Sequence, residues 1–67
     1  MHFCYEKLWH ILLDRHMTKE DLRTKCEISS NTIAKLGKGQ NVTTDILLKI
    51  CIALNCDIKD IMEITND

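Results

Sequence analysis

Met17-Thr18-Lys19-Glu20-Asp21-Leu22-Arg23-Thr24-Lys25-Cys26-Glu27-Ile28-Ser29-Ser30-Asn31-Thr32-Ile33-Ala34-Lys35-Leu36-Gly37-Lys38-Gly39 decides the fold. Thr18 precedes an acid by three residues, the pattern of a capping box, and the carboxylates that follow suit the positive end of a helix. The spacing predicts a short helix from about Lys19 to Cys26. Glu27-Ile28-Ser29 has no helical rhythm and reads as a corner. Ser29 or Ser30 then caps another helix, which carries Ile33 and Leu36 inward with the small Ala34 beside that packed face. The glycines at 37 and 39 end it, as glycine does where a chain turns left-handed.

Outward from this stretch the periodicity stays helical. Leu8, Ile11, Leu12 and Arg15 follow the i, i+3, i+4, i+7 pattern of a first helix over residues 5–15. After a polar loop at Gln40-Asn41-Val42, Thr43 caps a fourth helix whose Leu47, Ile50, Cys51 and Leu54 make one apolar face. Asn55 suits its end. Asp57 caps a last short helix with Ile58, Ile61 and Met62. The many isoleucines lean toward strand by propensity, but their spacing favours helix. The expectation is an all-α, compact five-helix domain filling residues 1–67, with a helix-turn-helix over residues 18–36.

Composition narrows the function classes. The chain has 67 residues, 45% apolar and 28% charged, which is globular rather than disordered. It has no Pro, two Gly and three aromatics, against a turn-rich β-sandwich. A domain of this size holds no large catalytic cleft and gains from oligomerisation. No apolar run approaches the roughly 18 residues of a membrane span, and the start lacks the basic and apolar regions of a signal peptide. The chain reads as cytosolic.

Cys4, Cys26, Cys51 and Cys56 contain no C-x-x-C, and none pairs with a His at finger spacing. His10 and His16 share no helical face. Cys26, Cys51 and Cys56 read as small buried apolar residues of a reduced protein, with no tight zinc site and no obligatory disulfide. Cys4 beside His2 lies at a terminus expected to fray. With no Ser/His/Asp, Cys/His or metal constellation at usable spacing, the expectations are no catalytic site, no metal and no cofactor. Trp9 lies off the Leu8–Ile11–Arg15 line and reads as a partly buried packing residue.

A net charge of −1 speaks at first against a nucleic-acid ligand. The average hides a gradient. Residues 28–41 hold Lys35 and Lys38 and no acid, whereas residues 42–67 set two lysines against Asp45, Asp57, Asp60, Glu63 and Asp67.

The stretch quoted above closely resembles the helix-turn-helix of the Cro/lambda-repressor type, the XRE family. Thr43-Thr44-Asp45-Ile46-Leu47-Leu48-Lys49-Ile50-Cys51-Ile52-Ala53-Leu54-Asn55-Cys56-Asp57-Ile58-Lys59-Asp60-Ile61 resembles that family's fourth and fifth helices, so the likeness covers about residues 5–62. It implies that the third helix, about residues 30–36, enters the major groove while the second crosses the phosphates. By that resemblance Ser30, Asn31 and Lys35 fall at base-reading positions, with Thr32 beside them. Asn31 would bond adenine's edge, and Lys35 would donate to guanine O6 and N7. Thr18 and Lys19 match phosphate contacts at the start of the second helix, and Lys38, Gln40 and Asn41 match those of the following loop.

The chain departs from the family pattern at several points. Lys19 stands where Gln is common, Arg23 where Ala is usual and Glu27 where Gly is usual. A positive φ at Glu27 would cost about 1 kcal/mol. Gly37 replaces a common acid, and Leu12 replaces its basic partner. Both halves of that pair are lost together, which points to an apolar substitute.

The functional expectation is a sequence-specific DNA-binding transcriptional regulator, a repressor by occlusion, acting on double-stranded DNA as a homodimer at a palindromic site. Its apolar surplus would be buried between copies through the last two helices or residues 61–64. The alternative is a helix-turn-helix module that docks a protein partner.

Overall fold

Each helix of this chain ends in the same way, and the repeated ending shapes the molecule. The computed structural model describes residues 1–66. In order they form β1 (His2–Cys4), α1 (Glu6–Asp14), α2 (Lys19–Cys26), α3 (Ser30–Gly37), α4 (Thr44–Leu54), a single 3-10 turn (Ile58–Asp60) and β2 (Glu63–Thr65). After each α-helix one residue takes a left-handed backbone: His16 (φ 57°), Glu27 (φ 57°), Gly39 (φ 70°) and Asn55 (φ 53°). The amide of the next residue then donates back to the carbonyl five positions earlier. These bonds are Met17 N to Leu12 O (2.8 Å), Ile28 N to Arg23 O (3.2 Å), Gln40 N to Lys35 O (2.9 Å) and Cys56 N to Cys51 O (3.0 Å). All four are Schellman caps, which satisfy last-turn carbonyls and turn the chain sharply.

The starts of α2, α3 and α4 follow the side chains expected to cap them, whereas α1 begins after Tyr5 with no side-chain cap. Asp21 N donates to Thr18 Oγ1 (3.1 Å) and Thr18 N to Asp21 Oδ2 (2.9 Å), completing a reciprocal capping box. Ser29, rather than Ser30, caps α3 through Thr32 N (3.1 Å). Thr43 caps α4 through Ile46 N (3.4 Å).

The core gathers Tyr5, Leu8, Leu12, Leu22, Cys26, Ile28, Leu36, Leu47, Ile50, Leu54 and Ile61, all buried. Leu12 lies in that core, an apolar residue where the family pattern has a charge. Ile11, Ile33, Trp9, Cys51 and Cys56 are only half-buried against it. No helix among the described residues is long and apolar enough to cross a membrane.

Among the described residues there are four α-helices, not five. Asp57 does cap the expected segment, accepting from Ile58 N (2.7 Å), and Asp60 Oδ2 accepts from Asp57 N (2.9 Å). One 3-10 turn follows, and the chain then becomes extended. Ile61 alone of that segment is fully buried, and Ile58 is exposed. One turn therefore delivers its single anchor, and β2 takes over.

The strands are a second correction. The N-terminus does not fray but pairs antiparallel with the other end of the chain, His2 with Thr65, Phe3 with Ile64 and Cys4 with Glu63. Two short strands are marginal alone. Here Tyr5, buried directly after β1, anchors them to the core, and Lys7 reaches across from α1 to Lys59 O (3.2 Å) and Glu63 (3.8 Å).

Glycine use carries a third correction. Gly39 is left-handed as expected, but Gly37 is the last helical residue of α3 and has no positive φ. A Cβ on Gly37 would meet only the flexible end of Lys19, with Nζ at 3.5 Å. Glu27 shows the reverse mismatch, a side chain where glycine would fit without strain.

Three stability outcomes follow from this packing. Leu47→Ala should cost about 2–5 kcal/mol, read by denaturant unfolding, because it empties a buried site between α4 and the core. Glu27→Gly should stabilise by about 0.5–1 kcal/mol, the relieved left-handed strain outweighing the added freedom of the unfolded chain. Gly37→Ala should stabilise by about 0.5–1 kcal/mol, because alanine is favoured at a helical position with room for its methyl. A lower unfolding midpoint for either glycine-related variant would contradict the backbone assignment there.

Candidate nucleic-acid interface

The α2–α3 corner leaves no slack. Glu27 is the left-handed residue, Ile28 is buried, and Ser29 already caps α3. Three residues thus hold two helices at a steep angle, with Leu22, Ile28 and Leu36 buried between them and the rest of the core. Whatever α3 does not bury must project.

That projecting face comprises Ser30, Asn31, Ala34, Lys35 and Lys38, all exposed. Ser30, Asn31 and Lys35 are therefore brought together on one side of α3. Thr32 is not part of it. It is half-buried, and its Oγ1 lies 2.9 Å from Ser29 Oγ, so the hydroxyl is engaged with the cap. Ala34 was expected beside the packed face, yet it sits on the projecting one. Its spacing of three from Asn31 and four from Ser30 is the signal that could have placed it there.

The flanks are polar and exposed. Thr18 and Lys19 stand at the start of α2, and Gln40 and Asn41 follow the Gly39 corner. The Thr18 hydroxyl is occupied by the capping box. Lys19 carries an unforeseen contact, with its Nζ 4.7 Å from the centre of the Trp9 ring. This cation–π contact tethers the ammonium across α1 and beside the end of α3. Trp9 is thus a packing residue that also positions a charge.

Two acids of α2, Glu20 and Asp21, are engaged within their own helix. Arg23 folds along its own helix onto Glu20, its Nε donating to both carboxylate oxygens at 3.0 Å and its second guanidinium nitrogen also in contact. The guanidinium holds the Glu20 carboxyl below its ordinary pKa through that hydrogen bond. Asp21 serves the cap. Lys19, Lys35 and Lys38 consequently dominate the charge on the projecting side. Among the described residues no group of three or more His, Cys, Asp or Glu could hold a metal ion.

Comparison with known proteins agrees with this geometry. The sequence model of the Cro/C1-type HTH DNA-binding domain matches residues 7–67. A solved structure, the crystal structure of transcriptional regulator VanUg, Form II, superposes with a TM-score of 0.90 at 50% sequence identity. That match covers 92% of this chain and 83% of the other. A comparison with curated protein sequences returned no match. With nearly its whole length matched and its helix-turn-helix built as described, the chain belongs to the Cro/C1-type helix-turn-helix DNA-binding domain family.

Proposed function

We propose that this protein is a sequence-specific transcriptional regulator that reads the major groove of double-stranded DNA with α3 and represses by occluding a promoter. The observation that carries the reading is the acid-free projecting face of Ser30, Asn31, Ala34, Lys35 and Lys38. A face of this kind can lie against phosphates while offering short side chains to base edges. Asn31 suits the paired donor and acceptor of adenine, Lys35 suits guanine O6 and N7, and the Ala34 methyl suits thymine. Ser30 adds a hydroxyl, and Thr32 acts by holding the cap rather than by reaching a base.

Thr18, Lys19, Lys38, Gln40 and Asn41 would take the phosphates on either side and so set the register. The Lys19 ammonium, tethered over Trp9, arrives with part of its freedom already lost. A single domain makes few contacts, so two copies on a palindromic site would multiply specificity. Ile61 is buried in its own core and cannot serve that association, whereas Leu48, Ile52 and Ile58 are exposed along α4 and the turn after it. Those three residues are the surface we assign to the homodimer. The setting would be the cytoplasm of a bacterial or phage-infected cell.

The test is a binding titration on a selected site and on random DNA at two salt concentrations. Asn31→Ala and Lys35→Ala should each lose about 1–3 kcal/mol on the selected site and much less on random DNA. Lys38→Ala should weaken both DNAs alike and reduce the salt slope by about one charge. Unchanged binding by all three variants would remove the groove-reading role and favour docking to a protein partner instead.

A further inference from the structure

Cys51 and Cys56 stand at the two ends of the Schellman cap that closes α4. The cap bond from Cys56 N to Cys51 O (3.0 Å) closes a short ring around left-handed Asn55. In this motif the first and last residues of the ring characteristically bring their side chains into contact. At α1 the corresponding residues are the apolar Leu12 and Met17. At α4 both residues are cysteines, and both are free thiols.

Both are half-buried and line a groove with Leu47, Leu48, Ile52 and Ile58, so a small reagent can reach them. Cys26 is buried, and Cys4 lies in β1.

We propose that Cys51 and Cys56 form a dithiol site that closes to an intramolecular disulfide by exchange with low-molecular-weight disulfides. One cysteine, as thiolate, attacks a sulfur of the small disulfide and expels a small thiolate, which takes up the proton the cysteine released. The second cysteine, as thiolate, attacks the protein sulfur of the mixed disulfide and expels the second small thiol. Two protein thiols are oxidised by two electrons, one small disulfide is reduced to two thiols, and both protons end on those thiols.

Cys56 is the better first nucleophile. The neighbouring Cys51 thiol and the charge of Arg15, just past the end of α1, both favour its thiolate, whereas Asp57 and Asp60 oppose the thiolate at both sulfurs. Burial pushes both thiols up, so exchange quickens as pH rises. The closed bond spans the corner where α4 hands over to the 3-10 turn. It therefore fixes Ile58 relative to Leu48 and Ile52.

Reduced protein is incubated with oxidised glutathione, quenched with N-ethylmaleimide and mapped by peptide mass spectrometry. The expected product has lost two hydrogens, carries Cys51 and Cys56 linked within one chain, and is alkylated at Cys4 and Cys26. Its helical circular dichroism is retained, its melting temperature rises by on the order of 10 °C, and dithiothreitol reverses both changes. Cys51→Ser should stall with glutathione on Cys56, and Cys56→Ser should react more slowly at Cys51. Alkylation of all four thiols, a stable mixed disulfide on the parent protein, or a link between chains would overturn the proposal. The map of the parent protein decides even where a serine variant fails to fold.

Discussion

A left-handed residue closing each α-helix is the constraint on which the rest depends. His16, Glu27, Gly39 and Asn55 each turn the chain within one residue, and the amide that follows locks the corner to the carbonyl five positions back. Loops this tight transmit direction. The angle between α2 and α3 follows from φ at Glu27 together with the burial of Ile28, and the projection of Ser30, Asn31 and Ala34 follows from that angle. The arrangement carries strain at His16, Glu27 and Asn55, which the packed core must outweigh. Only Gly39 adopts the conformation without cost.

The corners also show why part of the fold was legible in the sequence and part was not. Every helix start after α1 is announced by a side chain, because Thr18, Ser29, Thr43 and Asp57 bond the amides they precede, whereas Tyr5 before α1 makes no such bond. Helix faces are announced by spacing, so Leu8, Leu12, Leu22, Leu36, Leu47, Ile50 and Leu54 could be placed inward. Left-handed His16 has no such mark, since its conformation is imposed by its neighbours. Glu27 could be suspected only by comparison with a family pattern. The strands escape sequence reading for another reason. Three residues show no alternation, and each strand exists only because the opposite end of the chain lies beside it. The isoleucines at 58, 61 and 64 fit a helical repeat on paper, yet one buried contact at Ile61 satisfies the segment.

The candidate interface divides similarly. Exposure of Ser30, Asn31 and Lys35 is the complement of burying Leu36 and half-burying Ile33, so it could be read from the α3 pattern. Thr32 is half-buried and its hydroxyl meets Ser29, a rotamer choice that no spacing encodes. Ala34 was misplaced because a small apolar residue leaves almost no periodic signal. The Lys19–Trp9 contact joins α2 to α1 and depends on the whole core, so neither residue alone announces it.

Net charge misleads for a physical reason. The chain totals −1, yet its acids are unevenly committed. Glu20 is held by Arg23, Asp21 by the α2 cap, Asp45 by Lys49 at 3.8 Å, and Asp57 and Asp60 by the box around the 3-10 turn. A partner approaching α3 feels charges within about 8 Å at physiological salt, against a long axis of 31 Å. Over that range Lys35 and Lys38 meet no acid on their own helix or the loop beyond it, and Lys19 adds a third ammonium pinned above Trp9. Selection of a polyanionic partner therefore rests on which charges stand within screening distance of α3, and the sum over the whole chain says little about it.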